Sequence, residues 1–124
     1  MDMLRFHMFT IGHAWKSDYG DPGKAEDFQV LLKYSPLHTV QSSRTYPAFM
    51  LLTSDHDDRV VPLHSYKLIA TLQHELSNNP KPLVIRIETK AGHGAGKPTK
   101  KRIDEATDRF SFIALMLGLA WKDA

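Results

Sequence analysis

Two short apolar runs, each followed by a polar loop, constrain the fold of this chain more than any other feature. Residues 48–53 and 83–88 each have the length and apolar character of a β-strand that is buried on both faces. Residues 63–76 lie between them, just after a proline that suits a first helical turn, and their pattern predicts a helix. The residues in register on one face of this helix are Tyr66, Ile69, Ala70 and Gln73. Two strands joined through a helix predict a right-handed crossover between parallel strands, and therefore an α/β fold.

The rest of the pattern predicts two more helices and an incomplete sheet. Residues 1–23 are expected to be irregular, because glycines and a proline interrupt them. Residues 24–34 are expected to form a short helix, with an apolar face made of Phe28, Leu31 and Leu32. A last helix is expected over 99–117, with an apolar stripe made of Ile103, Ala106, Phe110, Ile113 and Leu117. Two strands alone would leave apolar edges unpaired, so we expect the chain to be a piece of a larger α/β unit.

Composition excludes several classes of protein. The chain has 124 residues, enough for one small domain, and 16 basic against 14 acidic residues give a net charge of +2. A chain with this charge balance is not expected to have the broad basic surface that is typical of proteins that bind nucleic acids or membrane surfaces. The one basic cluster, which we interpret as a solvated helix start, consists of Lys97, Lys100, Lys101 and Arg102. The absence of cysteine excludes disulfides, cysteine-based zinc sites and cysteine catalysis.

The sequence also contains no recognisable membrane or targeting segment. No apolar run reaches the roughly 18 residues that a membrane span requires, and the first residues do not have the charged-then-apolar layout of a secretory signal. We therefore expect a cytoplasmic protein. The charge balance predicts no membrane or nucleic-acid partner, and we expect neither a metal nor another cofactor.

Polar residues that could carry chemistry follow both predicted strands. The first loop, from Asp55 to Arg59, holds three carboxylates, a histidine and an arginine. Asp57 could orient a catalytic histidine, the cluster could bind a divalent metal, or the loop could be a solvated surface with internal salt bridges. In the second loop His93 stands between two glycines, which would permit close approach of a substrate. A flexible loop with an exposed histidine is the alternative interpretation.

Taken together, the two loops indicate a hydrolase site. Because both follow strands of a parallel sheet, we expect Asp57 and His93 to lie within hydrogen-bond reach at the carboxyl ends of neighbouring strands. The acid precedes the histidine, as in α/β-hydrolases, where a serine in a Gly-x-Ser-x-Gly elbow comes before both. No serine of this chain has a glycine two positions away on each side, so the nucleophile is expected upstream of Met1. A metal-dependent hydrolase is an alternative that chelator sensitivity would distinguish, with candidate ligands Asp55, His56, Asp57 and His93.

Four segments of the sequence resemble prolyl oligopeptidases, also called prolyl endopeptidases. They are Phe9-Thr10-Ile11-Gly12-His13-Ala14-Trp15, Lys33-Tyr34-Ser35-Pro36-Leu37-His38, Asp55-His56-Asp57-Asp58-Arg59-Val60-Val61-Pro62 and Lys90-Ala91-Gly92-His93-Gly94-Ala95-Gly96-Lys97-Pro98. The resemblance covers essentially the whole chain and implies that residues 1–124 are a partial peptidase catalytic domain, the C-terminal portion of an α/β-hydrolase fold. Within it, Asp57 resembles the catalytic acid and His93 the catalytic base.

The resemblance also implies a substrate pocket. Trp15 resembles the indole that stacks on the proline ring of the substrate, and Tyr19 and Val60 resemble further walls of that pocket. Arg59 resembles the arginine that hydrogen-bonds a backbone carbonyl of the bound peptide. The physical chemistry agrees, because a flat indole buries a rigid proline ring well, and a guanidinium offers a fixed fork of donors to a carbonyl.

The same resemblance implies which parts of the enzyme lie upstream of this chain. They are the catalytic serine, the oxyanion-hole donors, part of the proline pocket, and the β-propeller that screens out large substrates. The chain is therefore expected to cleave short peptides on the carboxyl side of proline within a complete serine-type endopeptidase, and to be inactive alone. The alternative is a non-catalytic truncated product that acts by binding a partner, which the upstream sequence and the expressed size would distinguish.

Overall fold

The structure of the chain, a computed structural model, describes residues 1–94 and 96–120, so Ala95 of the glycine-rich loop lies outside the described residues. The chain divides into two compact units, Met1–His93 and Gly94–Ala124. Short 3₁₀ turns occur in the first unit at Phe6–Met8, Thr10–Trp15 and Pro36–His38. Its helices and strands, in chain order, are α1 (Lys16–Tyr19), α2 (Ala25–Tyr34), β1 (Phe49–Ser54), α3 (Leu63–Glu75) and β2 (Leu83–Glu88). The second unit contains α4 (Thr99–Leu117).

Strands β1 and β2 form a parallel pair whose ends coincide. Phe49 pairs with Leu83 at the start of the ladder, and Ser54 pairs with Glu88 at its end. Helix α3 lies between the two strands in the chain, so the predicted strand-helix-strand unit is confirmed. Within the described residues the sheet consists of these two strands, as expected for an incomplete α/β sheet. The loops that follow β1 and β2 therefore begin side by side, at the carboxyl ends of the two strands.

The hydrophobic core lies between this strand pair and helix α3. It consists of Leu51, Leu68, Ile69, Leu72, Leu76 and Leu83, with Phe49 and Ile85 partly buried against it. Because side chains alternate along a strand, Phe49 and Leu51 of β1 and their partners Leu83 and Ile85 of β2 share the face that meets the helix. Each large aliphatic side chain buried in this way contributes about 1.5–3 kcal/mol, which fixes α3 against the sheet.

The prediction of which face of α3 is buried is wrong. Of the residues placed in register, Ile69 is buried, whereas Tyr66, Ala70 and Gln73 are exposed. The helix instead turns a leucine stripe toward the sheet, because Leu68, Leu72 and Leu76 follow one another at four-residue spacing. Gln73 lies at the edge of this stripe, where its side-chain amide donates to the carbonyl of Leu83 at 2.8 Å.

Residues 1–23 are more regular than the sequence pattern suggests, and the prediction of an irregular segment is wrong for 6–19. Two consecutive 3₁₀ turns run into the short helix α1, and Phe6 is buried among them. The turns pack closely because Gly12 has no side chain, and an added Cβ there would collide with the carbonyl oxygen of Phe6. Trp15 lies at the end of the second of these turns.

Helix α4 has the predicted bounds and an exposed apolar stripe. Ile103, Phe110 and Leu117 are 59%, 52% and 67% exposed. Ion pairs of Lys97 with Glu105 and of Lys100 with Asp104 brace its first turns, consistent with a solvated helix start. None of the helices in the described part of the chain combines the length and apolar character needed to cross a bilayer.

Candidate active site

The loops that follow β1 and β2 meet at the carboxyl ends of the two strands. The loop after β1 begins at Asp55, whose backbone N–H donates to the carbonyl of Glu88 at 3.0 Å. The next backbone N–H, that of His56, donates to the carbonyl of Ala91 at 3.1 Å. These bonds continue the parallel pairing beyond the strands themselves. The two candidate loops are thereby held side by side.

Asp57 and His93 are in direct contact, as the order of strands and loops predicts. Nδ1 of His93 lies 2.9 Å and 2.8 Å from the two carboxylate oxygens of Asp57. An ionised carboxylate can only accept hydrogen bonds, so Nδ1 carries a proton, and the neutral form of the ring has its lone pair on Nε2. The histidine side chain is 41% exposed, and that of the aspartate is 11% exposed. The imidazole of His93 is thus partly exposed to solvent, and its contact with the more buried carboxylate of Asp57 fixes the orientation of the ring.

The carboxylate of Asp57 is stabilised in its charged form. Burial alone would raise its pKa, but hydrogen bonds outweigh burial, and the pKa of Asp57 lies below its ordinary value. Besides His93, the backbone N–H groups of Val60 and Arg59 donate to one of its oxygens, at 2.9 Å and 3.0 Å. At neutral pH the group is therefore an anion, which is the form that can orient and stabilise a protonated imidazole.

Asp55 and His56 form a second, separate acid–histidine pair. Nδ1 of His56 lies 2.6 Å from a carboxylate oxygen of Asp55. This bond, together with backbone N–H groups of Lys90 and Ala91, lowers the pKa of Asp55 to about 2. Among the residues that the structure describes, no three histidine or carboxylate side chains are grouped so that they could hold a metal ion. The four candidate ligands thus divide into two pairs.

Three of the predicted substrate-binding residues line one cavity of about 390 Å³. Its lining residues are Met1, Met3, Phe6, Trp15, Tyr19, Tyr34, Pro36, Val60 and His64. The predicted members, Trp15, Tyr19 and Val60, come from two stretches that are far apart in the sequence. The rings of Phe6 and Tyr19 meet edge to face, with centroids 5.6 Å apart. The result is a largely apolar concavity of the kind that holds a small hydrophobic group.

Buried polar contacts hold the wall of this cavity in place. Asp2 is fully buried, and its carboxylate accepts a hydrogen bond from Nζ of Lys67 at 2.7 Å. Its backbone N–H points at Nδ1 of His64, 3.4 Å away, and the backbone N–H of Met3 donates to Oγ of Ser35 at 3.0 Å. Met1 and Met3 are thereby fixed between α2 and α3. Sequence reasoning missed His64 and these methionines, because only contacts across more than thirty positions bring them to the cavity.

Arg59 occupies a different position from the other predicted binding residues. It does not line the cavity that contains Trp15 and Val60. Its carbonyl accepts a hydrogen bond from Oγ1 of Thr10 at 3.0 Å, which ties the loop after β1 to the turn that leads to Trp15. No acidic side chain of the described residues forms an ion pair with its guanidinium.

The fold and the site together define a class of protein. An acid after one parallel strand and a histidine after the next, in hydrogen-bond contact at the carboxyl edge of the sheet, is the arrangement of the α/β-hydrolase fold. The sequence model of the prolyl oligopeptidase family matches residues 1–120. The chain therefore belongs to the prolyl oligopeptidase family.

Similar proteins agree with this assignment. The chain is 54% identical over 123 residues to prolyl oligopeptidase A of Galerina marginata, covering 99% of this chain and 17% of that protein. It is 51% identical over 121 residues to the prolyl endopeptidase of Dictyostelium discoideum, covering 96% of this chain and 16% of that protein. A structure of prolyl oligopeptidase B from Galerina marginata, bound to a 35mer substrate, matches with a TM-score of 0.91 at 48% identity, covering 98% of this chain and 17% of that one. The chain thus spans about a sixth of the length of these relatives.

Proposed function

We propose that this chain supplies the acid, the base and part of the substrate pocket of a serine-type endopeptidase that cleaves short peptides on the carboxyl side of proline. The observation that carries the proposal is the contact between Asp57 and His93. In this role Nε2 of His93 takes the proton of a serine hydroxyl as the serine attacks, and returns it to the leaving amine. Asp57 keeps the imidazole in the tautomer that leaves Nε2 basic, and stabilises the imidazolium that forms.

The cavity supplies the specificity in this proposal. Trp15 and Tyr19 are flat aromatic walls on which the ring of a proline residue can be buried, and Val60 contributes an aliphatic surface. Arg59 lies two residues from Asp57, and its guanidinium, which forms no ion pair within the described residues, is proposed to hold a carbonyl of the peptide backbone.

The remaining parts of the enzyme are proposed to come from outside this sequence. Residues 1–124 form a partial catalytic domain, and the serine elbow, the oxyanion-hole donors and a β-propeller complete it. Structures of prolyl oligopeptidase B from Galerina marginata with bound substrate include variants with alanine at a histidine, a serine and an aspartate. The replaced aspartate and histidine are separated by nearly the same number of residues as Asp57 and His93, which supports the assignment. A cytoplasmic location stays a prediction.

A graft into a similar enzyme tests the proposed function. In the grafted enzyme, this chain replaces the matching stretch of prolyl oligopeptidase A of Galerina marginata, which is 54% identical over 123 residues. We expect it to cleave a fluorogenic peptide after proline, because the host supplies the nucleophile. The same graft with the host's catalytic serine changed to alanine is the control. A graft that folds, yet leaves the peptide uncut, would contradict the proposal.

Replacing the indole should selectively impair proline-containing substrates. In the grafted enzyme, Trp15→Ala is expected to lower kcat/KM by about 10- to 10²-fold for a peptide with proline at the cleavage position, since it removes roughly 1.5–3 kcal/mol of ring burial. The loss should be smaller for a peptide with alanine in that position. Tyr66→Ala is the matched control, because Tyr66 is an exposed aromatic residue outside the cavity. Equal losses for both peptides would contradict a proline pocket at Trp15.

The buried histidine of the cavity wall should make stability depend on pH. Burial is the main cause that lowers the pKa of His64 from 6.5 to about 4. An unfolded chain binds a proton at this group below about pH 6.5, whereas the folded chain does not until about pH 4. The free energy of unfolding should therefore be highest above pH 6.5 and fall between these values, by up to about 1.4 kcal/mol per pH unit.

The comparison of two asparagine variants isolates this effect. His64→Asn should weaken the dependence of stability on pH. The oxygen of the asparagine side chain can still accept a hydrogen bond from the backbone N–H of Asp2, but the side chain does not titrate. His74→Asn, at an exposed position of the same helix, should leave the dependence unchanged. The measurement is the unfolding temperature of the grafted enzyme between about pH 7 and pH 5. A parallel decline in both variants and the parent would show that His64 is not responsible.

A further inference from the structure

We infer that Asp55 is a positioning residue, which fastens the loop of His93 to the loop of Asp57 and so sets the contact between them. The inference rests on the proposed function, because it assigns Asp55 a role in a reaction that His93 carries out. It concerns an acid that the proposed mechanism does not use, although it stands only two positions before Asp57.

The carboxylate of Asp55 bridges the two loops directly. One of its oxygens accepts a hydrogen bond from the backbone N–H of Ala91 at 3.3 Å, and the backbone N–H of Lys90 also donates to the carboxylate. The backbone of His56 completes the connection through its bond to the carbonyl of Ala91 at 3.1 Å. Ala91 precedes His93 by only two residues, so a displacement here is transmitted to the imidazole.

The backbone at Lys90 shows why this bridge is needed. Its φ of 52° lies in the left-handed region, which a residue other than glycine adopts at an energetic cost. The conformation directs two consecutive N–H groups, those of Lys90 and Ala91, toward the carboxylate of Asp55. The negative charge offsets the cost of the backbone conformation, because charge-assisted hydrogen bonds are stronger than neutral ones. Without the carboxylate, the turn would relax toward an ordinary φ and move the start of the His93 loop.

The side chain of His56 is not part of this bridge. Its Nδ1 lies 2.6 Å from the same oxygen of Asp55 that accepts from Ala91, but the ring is 72% exposed and belongs to the adjacent residue of the loop after β1, so it does not join the two loops. Because the histidine is largely exposed, its pair with Asp55 contributes little to stability. Removal of the His56 side chain therefore provides a matched control, because it leaves both backbone bonds of Asp55 in place.

The test compares four variants of the grafted enzyme. Asp55→Ala is expected to lower kcat by about 10²-fold with a small change in KM, since misplacing a catalytic group by about 1 Å can cost that much. Asp55→Asn should lose less, because its amide oxygen can still accept from one N–H. His56→Ala should stay close to the parent. Lys90→Gly combined with Asp55→Ala should recover much of the loss, because glycine adopts a positive φ freely.

Hydrogen exchange separates this inference from the proposed function. Amides of residues 89–93 should exchange faster in Asp55→Ala than in the parent, and the added Lys90→Gly should slow them again. If the parent graft folds but does not turn over, the proposed function fails, and the exchange rates still decide whether Asp55 holds the loop. Unchanged kcat in an Asp55→Ala variant of an active graft would overturn the inference. So would unchanged exchange of 89–93, or a loss that glycine at position 90 does not relieve.

Discussion

In the grafted enzyme, His93→Ala is expected to abolish cleavage after proline, whereas Arg59→Ala is expected mainly to weaken peptide binding. Loss of the general base of a serine peptidase lowers kcat by about 10⁴-fold or more, because the serine hydroxyl is then a poor nucleophile and the leaving amine is not protonated. In its proposed role the arginine holds a carbonyl in the ground state and the transition state alike, so its removal should raise KM and leave kcat similar.

Steady-state kinetics with a proline-containing fluorogenic peptide measure both effects. Arg59→Lys provides an intermediate, since it keeps the positive charge but loses the planar fork of donors. His74→Ala serves as the control for a general effect of removing a histidine, because it lies exposed on α3 and away from the site. Equal losses of kcat at saturating peptide for the His93 and Arg59 variants would contradict this division of roles.

The second large effect is expected when residues 1–124 are expressed alone, as a poorly stable protein that tends to aggregate. A domain retains roughly 5–15 kcal/mol of net stability even with a complete core. Each large apolar side chain left uncovered forfeits about 1.5–3 kcal/mol, and the exposed ones include Leu52, Ile87, Ile103, Phe110 and Leu117. Four or five such residues are enough to cancel the margin. A strand edge without a partner also offers a template for pairing with another copy.

Size-exclusion chromatography and thermal unfolding of the isolated chain test this expectation. Adding a charge to the exposed side of β1 with Leu52→Lys should reduce aggregation, because it disfavours pairing between copies. The purified chain should also lack turnover of the proline-containing peptide, since a site without a nucleophile and an oxyanion hole retains neither part of the catalysis. A monomer with a sharp, cooperative melt would show that this chain closes its own core. It would thereby refute the interpretation as a fragment.

The sequence pattern predicted the elements that local periodicity determines. The bounds of β2 and α4 and the parallel order of the strands followed from apolar runs and their separation. The contact between Asp57 and His93 followed in turn, because parallel strands bring the loops after them to one edge. The family resemblance contributed Trp15, Tyr19 and Val60, and the structure places all three around one cavity.

Features that depend on contacts across the chain could not be predicted in this way. The face of α3 was misjudged because the sheet, and not the helix's own pattern of polar residues, selects which side is buried. The turns at 6–15 depend on the fit of Gly12 beneath the carbonyl of Phe6, and the cavity wall depends on the ion pair of Asp2 with Lys67. Such contacts join residues whose proximity no periodic pattern indicates.

In the proposed enzyme, the carboxylate of Asp57 affects both proton transfer and substrate selectivity. One of the two Asp57 oxygens that contact His93 also accepts the backbone N–H groups of Arg59 and Val60, so the same carboxylate orients the imidazole and fixes the chain that leads to the cavity. Neutralising it would disturb proton transfer and substrate choice together, and an inactive Asp57 variant therefore does not measure orientation of the histidine alone. For the same reason, natural or engineered changes of specificity should avoid this carboxylate and accumulate instead on the aromatic walls, which can vary without disturbing the acid.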